Sequence, residues 1–169
     1  MMRTVPGGAL ERRIFSARRG SNVLLLACAI MLGSSARAAP STATRMGNDT
    51  TLVTIRSVGI VLAFEPDRIT VTPGAVVRIR YVNESNFTHN MVILRNEDDI
   101  DTVGAASFQA AETGFVPMQY KSRMIAYSPL AAAGQTVEFT FEAPAPGEYP
   151  FACFVDGHFN MMVGTLRSR

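Results

Sequence analysis

The sequence is poor in side chains that bind transition metals and in those that form disulfides. Its 169 residues include two cysteines, two histidines and no tryptophan. The histidines are His89 and His158, and the cysteines are Cys28 and Cys153. Because Cys28 lies in a segment that we predict to be removed, the remaining domain has one cysteine and cannot form an internal disulfide. A lone thiol in an oxidising compartment is a liability unless it has a partner, such as a bound metal.

The sequence also lacks an apolar run that could span a bilayer in the mature protein. The apolar run Val23–Leu32 has ten residues, whereas a transmembrane helix needs about 20. Five arginines precede this run, and the A-x-A pattern Ala36–Ala38 follows it. This order is typical of a cleaved secretion signal. We therefore predict a signal peptide over residues 1–38 and a periplasmic or otherwise extracytoplasmic location.

Two other interpretations of the N-terminal segment stay open. Arg12–Phe15 (RRIF) weakly resembles a twin-arginine export signal, but an ordinary secretion signal with additional arginines fits as well. Leu25–Cys28 loosely resembles a lipoprotein processing site, although the apolar run continues past the cysteine.

Removal of the signal reverses the sign of the net charge. Of the 16 basic and 14 acidic residues, six and one lie in residues 1–38, so ten and thirteen remain, a net charge of −3. A mildly acidic domain without a basic run argues against nucleic-acid binding.

Short segments with strand signals, separated by turns, fill most of the mature chain. Residues 51–58, 77–81 and 137–141 alternate between apolar and polar side chains, and residues 60–64, 68–72, 90–94, 149–154 and 163–166 are shorter apolar stretches. This pattern predicts an all-β sandwich.

Residues 95–130 interrupt the strand pattern and are too long for a simple loop. We predict a short helix, with helix propensity in residues 105–111, and an irregular flap laid against the sandwich. Residues 39–50 are small and polar and predict a flexible leader. The folded domain would then cover residues 51–169.

The C-terminal region contains three potential ligands for a soft metal at close spacing. Cys153, His158 and Met162 follow one another at intervals of five and four residues, and Gly157 permits a tight turn between the first two. With His89 they make a thiolate, two imidazoles and a thioether, the ligand set of copper sites used for electron transfer. Each residue alone could be an ordinary core side chain, and Met161 is an alternative to Met162.

Two groups of residues carry a resemblance to a known family. They are Tyr81-Val82-Asn83…Thr88-His89-Asn90 and Ala145-Pro146-Gly147-Glu148-Tyr149…Cys153…Gly157-His158…Met162-Val163-Gly164-Thr165-Leu166. Over residues 51–167 the sequence resembles the azurin and auracyanin branch of the blue (type 1) copper proteins, the cupredoxins.

The resemblance implies a Greek-key β-sandwich with one copper ion buried near one end. It implies that His89, Cys153 and His158 are equatorial ligands, that Met162 is axial, and that the carbonyl of Thr88 lies near the metal. Asn90 looks like the family residue that joins the two ligand loops by hydrogen bonding.

Three positions depart from the family pattern. Val155 and Asp156 stand where members often have an aromatic residue and then proline, and Met91 replaces an aromatic residue. The carboxylate of Asp156 places a charge close to His158 and puts the reduction potential in doubt.

We predict a one-electron carrier, a monomer whose redox partners dock weakly near His158 on an apolar patch. Candidates for the patch are Phe87, Phe115, Phe159 and Met161. The alternative is a copper-binding or copper-tolerance protein that sequesters or delivers the ion, with Met118, Met124 and Met161 as a softer Cu(I) site. An enzyme is disfavoured because a second kind of copper site would need more histidines.

Overall fold

The computed structural model describes residues 44–46 and 50–169. The signal peptide predicted over residues 1–38 lies outside the described residues. Part of the leader predicted over residues 39–50 is described, and there Thr44–Met46 form a short strand where we expected no regular structure. Within the described ranges, no helix is both long and apolar enough to cross a membrane.

Two β-sheets pack face to face, as the strand pattern predicted. One has four strands in the order β1, β2, β4, β7, and the other has five in the order β3, β9, β8, β5, β6. The strands are β1 (Thr44–Met46), β2 (Thr50–Gly59), β3 (Arg68–Val71), β4 (Val76–Ser85), β5 (Val92–Leu94), β6 (Met124–Tyr127), β7 (Thr136–Glu142), β8 (Gly147–Ala152) and β9 (Val163–Ser168). The β2–β4 and β3–β9 pairs are parallel, and the others are antiparallel.

The core lies between the sheets and follows from the alternation of side chains along each strand. In β4 every second side chain is buried, from Val77 to Ser85. Side chains from both sheets meet in one cluster, including Ile55, Ile79, Tyr81, Phe151 and Leu166. The prediction of an all-β sandwich with a short helix and flap is confirmed.

Residues 60–64 form no strand, although their apolar composition favoured one. Gly59 adopts a left-handed conformation at the end of β2, with φ of 67°, and the chain leaves the sheet there. Ile60 and Val61 are then 73% and 64% exposed, and of this stretch Phe64 enters the core.

The insertion between β5 and β7 contains a helix, two 3₁₀ turns and a strand. The helix α1 spans Asp99–Ser107, so it begins six residues before the segment in which we predicted it. Its first turn carries Asp99 and Asp101, and negative charge at a helix N-terminus is stabilising. The 3₁₀ turns cover Ala111–Thr113 and Met118–Arg123. The insertion ends in β6, which we did not predict.

Helix α1 packs against the turn that follows β8. A side chain at Gly104 would place its Cβ only 2.6 Å from the ring of Phe159, so glycine is what lets the ring approach. The hydroxyl of Ser107 lies between the carbonyls of Gly104 and Phe154, at 2.7 and 3.0 Å. The insertion therefore supports the C-terminal segment that contains the predicted ligands.

Candidate metal centre

Three predicted ligands from two distant parts of the sequence converge at one end of the sandwich. His89 lies between β4 and β5, Cys153 comes directly after β8, and His158 lies in a 3₁₀ turn over Val155–Asn160. The Nδ1 atoms of the two histidines are 3.1 Å apart. The Sγ of Cys153 is 3.6 Å from Nδ1 of His89 and 3.5 Å from Nδ1 of His158.

The triangle of donor atoms has the size that one metal ion requires. A point equidistant from the three atoms lies about 2 Å from each, which is the length of a metal–imidazole bond and slightly less than a metal–thiolate bond of about 2.3 Å. These residues also form the one group of metal-ligating His, Cys, Asp and Glu side chains found in the described part of the chain. The residues present therefore fit a single ion.

Burial controls the protonation of the donors. Burial, and then the proximity of His158, lowers the pKa of His89 to about 4. Burial likewise lowers the pKa of His158, and the charge of Asp156 partly opposes that shift. Both imidazoles are therefore neutral at pH 7. Burial raises the pKa of the Cys153 thiol to about 11, so a metal that binds there must displace the thiol proton.

The turn between Cys153 and His158 depends on two left-handed residues. Asp156 and Gly157 have φ of 46° and 82°. Glycine adopts this conformation without steric cost, and aspartate tolerates it better than most residues. The turn is closed by the N–H of Met162, which donates to the carbonyl of His158 at 2.7 Å, while the N–H of Cys153 donates to the carbonyl of Met162 at 3.1 Å.

The two adjacent methionines have opposite environments. Met162 is fully buried in the same core cluster as Cys153, whereas Met161 is 64% exposed. An axial thioether must reach into the buried site, so burial favours Met162, as the family spacing did. The role of Met162 as fourth ligand remains a prediction.

Asn90 joins the two ligand segments. Its Oδ1 accepts the N–H of Phe154 at 2.8 Å, and its Nδ2 donates to the carbonyl of Gly114 at 2.8 Å. Its backbone N–H points at the Sγ of Cys153, 3.5 Å away. The bond to Phe154 is the link between the ligand segments that the family resemblance implied for Asn90. The bond to Gly114 adds a connection to the insertion.

The sequence analysis missed a polar contact to the other side of His89. The Nε2 of His89 lies 2.9 Å from the Oγ of Ser85, and both residues are buried. The available signal was the inward face of β4, which changes from apolar residues to Asn83 and Ser85 at its end. Polar residues at inward positions need buried partners.

Similarity to known proteins identifies the family of this chain. A sequence model of copper-binding proteins of the plastocyanin/azurin family matches residues 50–168. The chain belongs to this family. It is 37% identical to Auracyanin-A of Chloroflexus aurantiacus over 122 residues, which cover 71% of this chain and 75% of the relative. It is 33% identical to Auracyanin-B of the same organism over 118 residues, which cover 68% of this chain and half of that longer relative.

The fold of this cupredoxin is also that of a solved auracyanin. The structure of auracyanin A, described as a blue copper protein from a green thermophilic photosynthetic bacterium, is 36% identical and superposes with a TM-score of 0.68. The match covers 71% of this chain and 99% of the auracyanin.

The structure separates the candidates for an apolar patch. Phe87 and Met161 are 43% and 64% exposed, and the ring of Phe87 contacts the ring of His158 edge-on, with centroids 6.3 Å apart. Phe159 is buried and Phe115 is half-buried. Of the methionines considered for a softer Cu(I) site, Met124 is a core residue and is only 4% exposed.

Proposed function

We propose that this cupredoxin is an exported type 1 copper protein that carries single electrons between redox partners. The observation that carries the proposal is the triangle of His89 Nδ1, Cys153 Sγ and His158 Nδ1, with sides of 3.1–3.6 Å. A thiolate and two imidazoles with a weak thioether are typical of copper sites that transfer electrons.

In this proposal the chain holds one copper ion through His89, Cys153, His158 and Met162. Bound copper supplies a one-electron couple between Cu(II) and Cu(I). The side chains of His89, Cys153 and Met162 are fully buried and exclude water. Asn90 and the 155–160 turn hold the ligands in place, so that little movement is needed when the charge of the ion changes.

Partners would dock weakly where the site comes closest to the surface. Among the proposed ligands, His158 has a partly exposed side chain. The exposed ring of Phe87 contacts the ring of His158, and the exposed Met161 follows His158 by three residues. A small apolar surface of this kind suits transient contact. We propose a monomer, and we propose export on the basis of the signal predicted over residues 1–38.

The second candidate, copper sequestration or delivery, has less support. The burial of Met124 in the core weakens the cluster that would form an additional Cu(I) site. We also propose that the protein is not an enzyme, because both histidines of the chain belong to the one proposed copper site.

Copper titration with optical and paramagnetic resonance spectra tests the proposal. We expect one equivalent of Cu(II) to bind and to give an intense visible thiolate-to-copper band. Cys153→Ser should abolish that band, because the transition needs sulfur. A variant that keeps the band would refute the assignment, and additional tight Cu(I) equivalents would favour copper handling instead.

A further inference from the structure

A buried chain of polar side chains begins at His89 and runs along the inner face of the first sheet. The Nε2 of His89 contacts Ser85 Oγ at 2.9 Å, and Ser85 Oγ contacts Asn83 Oδ1 at 2.6 Å. Ser57 Oγ approaches the same Oδ1 at 3.1 Å, and the hydroxyl of Tyr81 lies 2.7 Å from Ser57 Oγ. All five residues are buried.

The orientation of the Asn83 amide is determined by its neighbours. Its Nδ2 lies 2.7 Å from the carbonyl of Phe87 and 2.8 Å from that of Ala131. Because a carbonyl can only accept, both contacts require the NH₂ group at this position. The Oδ1 atom therefore faces Ser57 and Ser85, and it can only accept hydrogen bonds from them.

This orientation decides which atom donates to which along the chain. A serine hydroxyl has one proton. The Ser85 hydroxyl faces Asn83 Oδ1 at 2.6 Å and the carbonyl of Phe87 at 3.2 Å, and both of these can only accept it. Ser85 Oγ must then accept from His89, so the proton of the neutral imidazole is on Nε2. At the far end Ser57 also donates to Asn83, and the Tyr81 hydroxyl donates to Ser57.

We infer that Ser85 is a positioning residue that fixes His89 in the Nε2–H tautomer and orients its ring. The lone pair of Nδ1 is then directed at the position between Cys153 Sγ and His158 Nδ1, where a metal ligand needs it. The contact with Ser85 involves protein atoms alone, so the tautomer that it sets does not depend on a bound metal.

The two histidines differ in the hydrogen bonding of their Nε2 atoms. His158 makes no hydrogen bond through Nε2 to another described residue, and its ring is partly exposed. His89 is fully buried, and its Nε2 has a buried hydrogen-bond partner in Ser85. Ser85 therefore makes His89 the ligand whose orientation is set by the protein interior.

The inference rests on the metal centre proposed above, but its first test needs no metal. Long-range ¹H–¹⁵N correlation spectra of the metal-free domain report which nitrogen of each histidine is protonated. We expect His89 to be a single tautomer with the proton on Nε2. A proton on Nδ1 of His89 would overturn the inference, whether or not the protein binds copper.

Three variants then separate positioning from general stability. Ser85→Ala removes the acceptor of the His89 proton, and Ser85→Thr keeps a hydroxyl at that position. Ser168→Ala is the matched control, because Ser168 is a buried serine bonded to the carbonyl of Pro144 at 2.6 Å on a different strand.

We expect Ser85→Ala to populate both tautomers of His89 and to weaken copper binding by about 10–100-fold, the usual effect of losing a hydrogen bond to a ligand histidine. Ser85→Thr should restore one tautomer and most of the affinity, and Ser168→Ala should change neither. A single tautomer and unchanged copper affinity in Ser85→Ala would contradict the positioning role. If Ser85→Ala does not fold, the tautomer of the unmodified protein and the affinity of Ser85→Thr still decide the question.

Discussion

Substitution of Asn90 by alanine should destabilise the protein by more than the loss of one hydrogen bond. The change removes the acceptor for the N–H of Phe154 and the donor to the carbonyl of Gly114, both at 2.8 Å. Phe154 is fully buried, and its N–H makes no other hydrogen bond within the described residues. Water cannot replace the lost partner without opening the loop.

The magnitude follows from these environments. A buried donor left without a partner costs about 1–3 kcal/mol, and a hydrogen bond whose partner can find water contributes about 0.5–1.5 kcal/mol. The carbonyl of Gly114 can find water after losing its partner, because Gly114 is half-buried. We therefore expect Asn90→Ala to lower the free energy of unfolding by about 1.5–4.5 kcal/mol.

Urea unfolding of the metal-free domain measures this difference through the shift of the midpoint at constant slope. Asn160→Ala is the control. Asn160 is exposed and donates to the carbonyl of Gly157 at 3.0 Å within the turn Val155–Asn160, which follows Phe154. It should cost less than about 0.5 kcal/mol, as surface substitutions usually do. Equal costs for Asn90→Ala and Asn160→Ala would show that Asn90 does not join the two segments.

Two further predictions concern the reduction potential of the copper form. Met162→Leu should retain copper but raise the potential, because it would remove the proposed axial donor, which as a weak ligand would stabilise Cu(II). The same change at the exposed Met161 should have little effect, and a larger shift there would reverse the axial assignment. Asp156→Asn should raise the potential by less than about 59 mV, which corresponds to about 1.4 kcal/mol for one electron, because Asp156 is exposed. Asparagine tolerates the left-handed backbone of this position, so an unchanged potential at low salt would mean that the charge does not reach the site.

The sequence alone was sufficient to predict the parts of this protein that depend on local pattern. Alternation predicted β4 and β7, because side chains on a half-buried strand face the core and the solvent in turn. The scarcity of histidine and cysteine, with the five-residue and four-residue spacings after Cys153, predicted the donors that the structure brings together at His89, Cys153 and His158.

Elements that depend on a distant partner were not predictable in the same way. The strand β6 (Met124–Tyr127) exists because β5 offers it a partner. Residues 60–64 have an apolar composition but lie outside both sheets, because the chain turns away after Gly59.

The contact between Ser85 and His89 was decided only by tertiary structure. They are only four positions apart, but the bond needs the loop after β4 to place His89 beside Ser85. Its direction needs the Asn83 amide, which is fixed by the carbonyls of Phe87 and Ala131. Spacing in a sequence can show which donors are available for a metal. Which nitrogen of a histidine carries the proton depends on the atoms that folding places beside it.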